Sequence, residues 1–272
     1  MAPTGLESTE SWPGTRRAAG WVRRDGHVEL AGDADHVLPL ASVTKVLTAI
    51  AVLVASEEEV LALDDAAGPP GSTVRLLLSH ASGLPFDGRT PINEPGRRRV
   101  YGNAAFEVLG EVLAERTGMS VGDYVREAVC LPLGMEHTVV PGSPAASGRG
   151  TVRDLLRLGL ELLEPTTILT ADTVAMATRP HLPDLDGVLP GFGRQRPNPW
   201  GLGVEVHGTK HPHWMPAEAS PETFGHFGQS GSFLWVDPRA GVACASLTDK
   251  GFGDWARDAW PALGRAVLDA AR

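Results

Sequence analysis

Residues 38–55 read Leu38-Pro39-Leu40-Ala41-Ser42-Val43-Thr44-Lys45-Val46-Leu47-Thr48-Ala49-Ile50-Ala51-Val52-Leu53-Val54-Ala55. Beyond Lys45 almost every position is apolar, which is the pattern of a helix buried on most of its sides. The apolar run 46–55 is far short of the ~20 residues that cross a bilayer, so this helix belongs in a protein core. A serine and a lysine three residues apart share a helix face, so their hydroxyl and amine can meet. Lysine is scarce: Lys45, Lys210 and Lys250 are the three in the chain. A serine hydroxyl is a weak nucleophile until a neighbouring base takes its proton. Desolvation lowers an ammonium's pKa toward neutrality, and the apolar residues after Lys45 supply that setting. Read alone, the same four residues suit a plainer account, in which Ser42 caps the helix and Lys45 snorkels to solvent.

Outward from this helix, residues 1–17 read as a loose tail. Residues 18–22 and 28–30 flank Asp25-Gly26 and predict a hairpin. Residues 73–79 predict a short helix, 89–99 an exposed loop, 104–117 an amphipathic helix closed by Gly118, and 121–129 another helix. Residues 141–150 read as a surface loop, Thr151 as the cap of a helix reaching about 163, and the Pro-rich 179–199 as largely irregular. Strand patterns return at 202–206, 232–236 and 242–247, and a last helix runs from about Asp254 to the end. An isolated hairpin is marginal, so strands from the two chain ends are expected to share one sheet. The expectation is an α+β fold: an antiparallel sheet built from both chain ends, flanked by helices, with an inserted helical lobe. Residues 1–272 would form one domain, with a sheet lobe at about 18–60 and 200–272 and a helical lobe at about 61–199.

The bulk composition narrows the function. A formal charge of −9 over 272 residues leaves no basic footprint for nucleic acid or an anionic membrane. Two cysteines, Cys130 and Cys244, are too few for a disulfide scaffold and sit in apolar surroundings, so buried free thiols are expected. The first twenty residues lack a basic start, an apolar core and a cleavage site. A cytoplasmic location is therefore expected, although a removed leader would leave the same sequence.

Two further motifs bear on chemistry. Tyr101-Gly102-Asn103 precedes the 104–117 helix, and Tyr101 and Tyr124 are the two tyrosines. A phenolate near an ammonium could accept the serine proton and return it to a leaving group. An asparagine amide beside it could hold a substrate carbonyl, although Asn103 equally suits a helix cap. Phe224-Gly225-His226-Phe227-Gly228-Gln229-Ser230-Gly231-Ser232 stands before a strand pattern. Its glycines allow close approach to the backbone, and an edge strand there offers N–H groups to an oxyanion. A Gly-rich turn is the plainer reading.

S-x-x-K at 42–45, Y-x-N at 101–103 and H-x-G at 226–228, in this order, resemble the serine β-lactamase and penicillin-binding-protein superfamily. The pattern is most similar to class C β-lactamases and family VIII esterases. Residues 76–85, Leu131-Pro132-Leu133-Gly134-Met135, Trp200-Gly201-Leu202-Gly203 and Leu234-Trp235-Val236-Asp237-Pro238 are similar too, so the resemblance runs from about residue 20 to the end. It implies a β-lactamase/transpeptidase-like fold and an acyl-enzyme on Ser42. Lys45 and Tyr101 would share the proton work, with Tyr101 as base for the deacylating water. Asn103 would contact the acyl group. The backbone N–H groups of Ser42 and Gln229, the latter following His226-Phe227-Gly228, would form the oxyanion hole. No cofactor and no metal is implied, and the substrate would be a small-molecule ester, β-lactam or D-amino-acid peptide. His226 stands where many relatives carry lysine, and a partly charged imidazole would attract a carboxylate weakly. Phe227 replaces a common hydroxyl; facing the cleft, it would favour uncharged groups. Both departures favour ester hydrolysis. The alternatives are β-lactamase, D-aminopeptidase or D,D-carboxypeptidase activity, or a β-lactam-binding scaffold without turnover.

Other motifs read more plainly. Gly228-Gln229-Ser230-Gly231-Ser232 approaches the G-x-S-x-G elbow but ends in serine. His207, His211 and His213 cluster near Trp214 in a Pro-rich loop without a partnering acid, which suits a solvated loop better than a metal site. His80 and His181 read as structural or exposed, and Arg97-Arg98-Arg99 as a solvated loop.

Overall fold

The computed structural model describes residues 4–272. Strands β1 (Arg17–Arg23), β2 (Val28–Gly32), β3 (Leu38–Pro39), β4 (Arg149–Gly150), β5 (Gly187–Leu189), β6 (Gly193–Gln195), β7 (Glu205–Val206), β8 (Phe224–Gly228), β9 (Ser232–Asp237) and β10 (Val242–Thr248) accompany seven α-helices. The helices are α1 (Thr44–Glu57), α2 (Val74–Leu78), α3 (Ala104–Thr117), α4 (Val121–Val125), α5 (Val152–Leu163), α6 (Ala171–Thr178) and α7 (Asp254–Ala270). Six strands form one antiparallel sheet in the order β2-β1-β10-β9-β8-β7, so the two chain ends share it through the β1–β10 pair. This is the α+β architecture expected from the strand patterns at both termini.

The sheet is covered on both faces, and the period of two along each strand sorts the side chains. Ala18, Val22, Leu234, Val236, Ala243 and Ala245 enter the larger core with α1, α3 and α5. Ala19, Trp21, Phe233, Trp235, Val242 and Cys244 enter an aromatic-rich layer beneath α7 with Trp214 and Trp260. Close approach of α5 is allowed by Gly159, where a Cβ would lie 2.8 Å from Ala243 Cβ. Among the described residues, no helix is long and apolar enough to cross a membrane.

Several expectations need correction. The described part of the tail is not loose: Leu6 and Trp12 are buried in the aromatic layer, and Trp21 Nε1 donates to Thr4 O at 2.8 Å. Residues 1–3 lie outside the described residues. The 121–129 helix is α only to Val125 and continues as a π turn over Arg126–Cys130. The 202–206 strand shrinks to Glu205–Val206 because Gly203, at φ +78°, turns the chain tightly against Ala49 of α1. Helix α6 was not anticipated; Thr170 caps it by accepting from Thr173 N at 3.2 Å. Within the irregular 179–199 segment, β5 and β6 form a short hairpin.

Arg99 also departs from the solvated-loop reading. It is buried, and its guanidinium donates to the backbone carbonyls of Ser79, His181, Leu182 and Asn198, tying three loops together. Burial holds its pKa near 10, still charged at neutral pH. The three-histidine segment does have an acid. Glu205, fully buried, accepts from Lys210 Nζ at 2.6 Å and from Trp214 Nε1 at 2.8 Å, and lies 2.7 Å from His213 Nε2. Despite burial, the charges of Lys210 and His213 hold the Glu205 carboxyl well below its usual range.

Candidate active site

Ser42 lies in a 3-10 turn, Ala41–Val43, that leads directly into α1. Ala41 before it is left-handed, at φ +45°, a conformation that costs a non-glycine residue about 1 kcal/mol or more and persists only when the surroundings impose it. Here they do. Leu40 N donates to Gly148 O at 2.8 Å, Ser232 Oγ donates to Leu40 O at 2.7 Å, and Gly148 N donates to Thr44 Oγ1 at 2.8 Å. The Ser42 side chain does not cap α1.

Lys45, in the first turn of α1, is 0% exposed and does not snorkel. Its Nζ is 3.2 Å from Ser42 Oγ, 2.8 Å from Asn103 Oδ1 and 3.0 Å from Ala145 O. It also sits 5.1 Å from the Tyr101 ring centroid and 5.7 Å from that of Phe106. Burial lowers its pKa to about 7, against the partial support of Glu107 and Asp87. The desolvation expected from the apolar sequence is therefore present.

Tyr101 is enclosed by the rings of His80 at 4.8 Å, Trp200 at 5.6 Å and His226 at 5.7 Å. Burial pushes its phenol pKa up, a hydrogen bond with Ser42 offsets part of the rise, and the Glu205 carboxylate adds to it. A standing phenolate is thus disfavoured. Gly102 lets this segment lie flat on residues 85–86, since a Cβ there would come within 2.5 Å of Pro85 O. Asn103 occupies the N-cap position of α3 without capping it; its amide faces Lys45 instead, with Nδ2 3.4 Å from Asp87 Oδ1.

The third motif forms β8 and the turn after it. A Cβ on Gly228 would lie 2.4 Å from Leu40 O and 3.0 Å from Ala41 Cβ, so only glycine lets the strand end pack against the residues preceding Ser42. Gln229 and Ser42 consequently line one pocket. Among the described residues, no protein acceptor takes the backbone N–H of either. Ser230 and Ser232 bond to Pro39 O and Leu40 O in a strand–turn–strand, which excludes the hydrolase elbow.

His226 faces the helical side of β8, and its Nδ1 lies 2.7 Å from Phe227 O. Burial and the Lys45 charge lower its pKa to about 3. The ring is neutral rather than partly charged. Phe227 packs chiefly into the aromatic layer, 5.0 Å from Phe252 and 5.8 Å from Trp260, while its edge borders the pocket. The pocket, of about 70 Å³, is otherwise lined by Phe86, Leu189, Pro190, Trp200 and Glu205. Sequence reading had not assigned Trp200 or Glu205 to the site. Cys130 and Cys244 are buried free thiols, with burial pushing both pKa values up.

A serine hydroxyl beside a desolvated lysine, at the end of an antiparallel sheet, is the arrangement of a serine hydrolase that works without a histidine–aspartate pair. Residues 14–268 match the model of the Beta-lactamase family, and the chain belongs to that family of serine hydrolases. A crystal structure described as a beta-lactamase from Mycobacterium bovis is 48% identical, with a TM-score of 0.96 over 98% of this chain and 99% of that one. The hydrolase EstCE1, described as having promiscuous acyltransferase activity, shares the fold at 18% identity, with a TM-score of 0.80 over 97% of each chain. Penicillin-binding protein 4* of Bacillus subtilis is 28% identical over 134 residues, 37% of this chain. That match spans 30% of the length of this curated relative.

Proposed function

We propose that Ser42 attacks a small ester or amide carbonyl to form an acyl-enzyme that water releases, esters being the favoured substrates. The observation that carries this is the bonding of Lys45. Asn103 Oδ1 and Ala145 O can only accept, so they take two N–H groups from Nζ. A neutral amine has two such donors and one lone pair, and the lone pair is then left for the Ser42 O–H at 3.2 Å. With a pKa of about 7, that amine form is well populated at neutral pH.

As the Ser42 proton passes to Lys45, Oγ bonds to the carbonyl carbon, and the oxyanion is received by the N–H groups of Ser42 and Gln229. Collapse expels the alcohol, which recovers a proton from Lys45 with Tyr101 as relay. Water then attacks the acyl carbon, its proton follows the same path, and the acid leaves as Ser42 Oγ is reprotonated. Tyr101 serves as a protonated relay rather than a standing phenolate, because burial raises its pKa. Asn103 keeps one amide hydrogen for the acyl carbonyl. The ester preference is supported by the apolar lining and by the neutral His226, since among the described residues no lysine or arginine lines the pocket to receive a carboxylate.

The 48% identical structure described as a beta-lactamase favours a second reading, β-lactam hydrolysis. Intact-mass spectrometry separates the two. Transient Ser42 acylation by p-nitrophenyl acetate with multiple turnovers, absent in Ser42→Ala, is expected. Turnover of a penicillin but not the ester would favour the second reading. A persistent penicillin adduct would mark a binding scaffold, and no adduct with either reagent or a fluorophosphonate would end both.

A further inference from the structure

Two residues that line the pocket beside Ser42 carry polar atoms whose bonding is incomplete. His226 is 3% exposed, and its Nε2 has no partner among the described residues. The ring's tautomer follows from its other nitrogen: Phe227 O, 2.7 Å from Nδ1, can only accept, so Nδ1 carries the hydrogen and Nε2 presents a lone pair. The indole of Trp200 meets this imidazole edge-on, with centroids 5.5 Å apart, and its buried Nε1–H is also unpartnered. Both residues line the pocket. The charged groups acting on His226 are Lys45, from the α1 side, and Glu205, from β7. Glu205 also lines the pocket, while its counter-cation Lys210 does not.

A buried acceptor and a buried donor left open each carry an unmet desolvation penalty. A carboxylate would leave the Nε2 lone pair unpaired and would face the Glu205 carboxylate. A methyl group would leave both ring nitrogens unpaired. A hydroxyl can donate to one and accept from the other, and it fits a cavity of about 70 Å³.

We propose that the substrate is a neutral ester bearing a free hydroxyl, which the pocket reads by donation to His226 Nε2 and acceptance from Trp200 Nε1. This deepens the ester-hydrolase reading and rests on it. It makes His226 a specificity-determining acceptor rather than a binder of anions.

Isosteric pairs test it with the full-length protein. p-Nitrophenyl 3-hydroxybutanoate is compared with p-nitrophenyl 3-methylbutanoate for the acyl half. 2-Hydroxyethyl butanoate is compared with propyl butanoate, in a pH-stat, for the alcohol half. The expected result is a kcat/KM ratio of about tenfold or more for the hydroxyl member in one pair, with p-nitrophenyl hemisuccinate slower than both acyl esters. In His226→Leu the ratio falls toward one; in His226→Gln, which keeps a polar amide at the position, part of it survives. Ester turnover with no hydroxyl preference in either pair overturns the inference alone. Failure to turn over any ester overturns the parent reading and the inference together. The wild-type ratios decide the matter even where a variant does not fold.

Discussion

Lys45→Met removes the buried amine from α1 while nearly preserving side-chain volume. In the folded protein the Lys45 pKa is about 7, against an ordinary value of 10.5 that applies in the unfolded chain. The unfolded state therefore binds more protons between pH 7 and 10.5, and stability rises with pH across that window. The buried lysine opposes folding by about 4 kcal/mol at pH 7 and by about 1 kcal/mol at pH 10, at about 1.4 kcal/mol per pKa unit. Lys45→Met escapes this opposition but leaves Asn103 Oδ1 and Ala145 O without a donor, an offset of about 1–3 kcal/mol per group. The net effect at one pH is small, whereas its pH dependence is large. Urea unfolding of both proteins at pH 7 and pH 10 isolates Lys45, because titrating groups not coupled to it cancel in the difference. The wild type should gain about 3 kcal/mol on the variant between the two pH values. A change below about 1 kcal/mol would refute the claim that Lys45 is held deprotonated by burial.

Gly228→Ala places a Cβ within 2.4 Å of Leu40 O, so the β8 end should shift from Ser42. Ester kcat should fall about 10²-fold or more, as stopped-flow release of p-nitrophenol would show. Tyr101→Phe removes the relay and should lower kcat/KM by about 10²–10⁴ while leaving Tm close to that of the wild type, measurable by calorimetry alongside the rate. Arg99→Met leaves four backbone carbonyls without their donor and should lower unfolding free energy by about 3 kcal/mol or more in urea titrations.

The sheet was legible because its strands keep a strict period of two that sends Trp21, Trp235 and Cys244 to one face and Val22, Val236 and Ala243 to the other. Lys45 and Tyr101 were legible because their scarce residue types fall beside helix starts, and Ser42 and Asn103 because they stand three residues before the one and two after the other. Arg99 was not, since its acceptors are backbone carbonyls and a sequence displays no carbonyl's orientation. Glu205 read as an ordinary strand residue; the signal available was an acid two residues before His207 and eight before His213. The neutrality of His226 depends on burial against the rings of Tyr101 and Trp200, distant in sequence and brought together by folding. The tail was misread because a short 3-10 turn, Glu7–Ser11, shows no helical or strand period, although Leu6 and Trp12 on either side carry its apolar anchors.

With only Lys45, Lys210 and Lys250 in the chain, lysine Cε signals can be followed individually by NMR in protein labelled with [ε-13C]lysine, and Lys45→Met assigns the one that matters. A pH titration should show the Lys45 signal changing with a midpoint near 7, matched by the midpoint at which fluorophosphonate acylation of Ser42 accelerates. A Lys45 midpoint near that of a solvated lysine, about 10.4, would contradict the assignment of Lys45 as the base for Ser42.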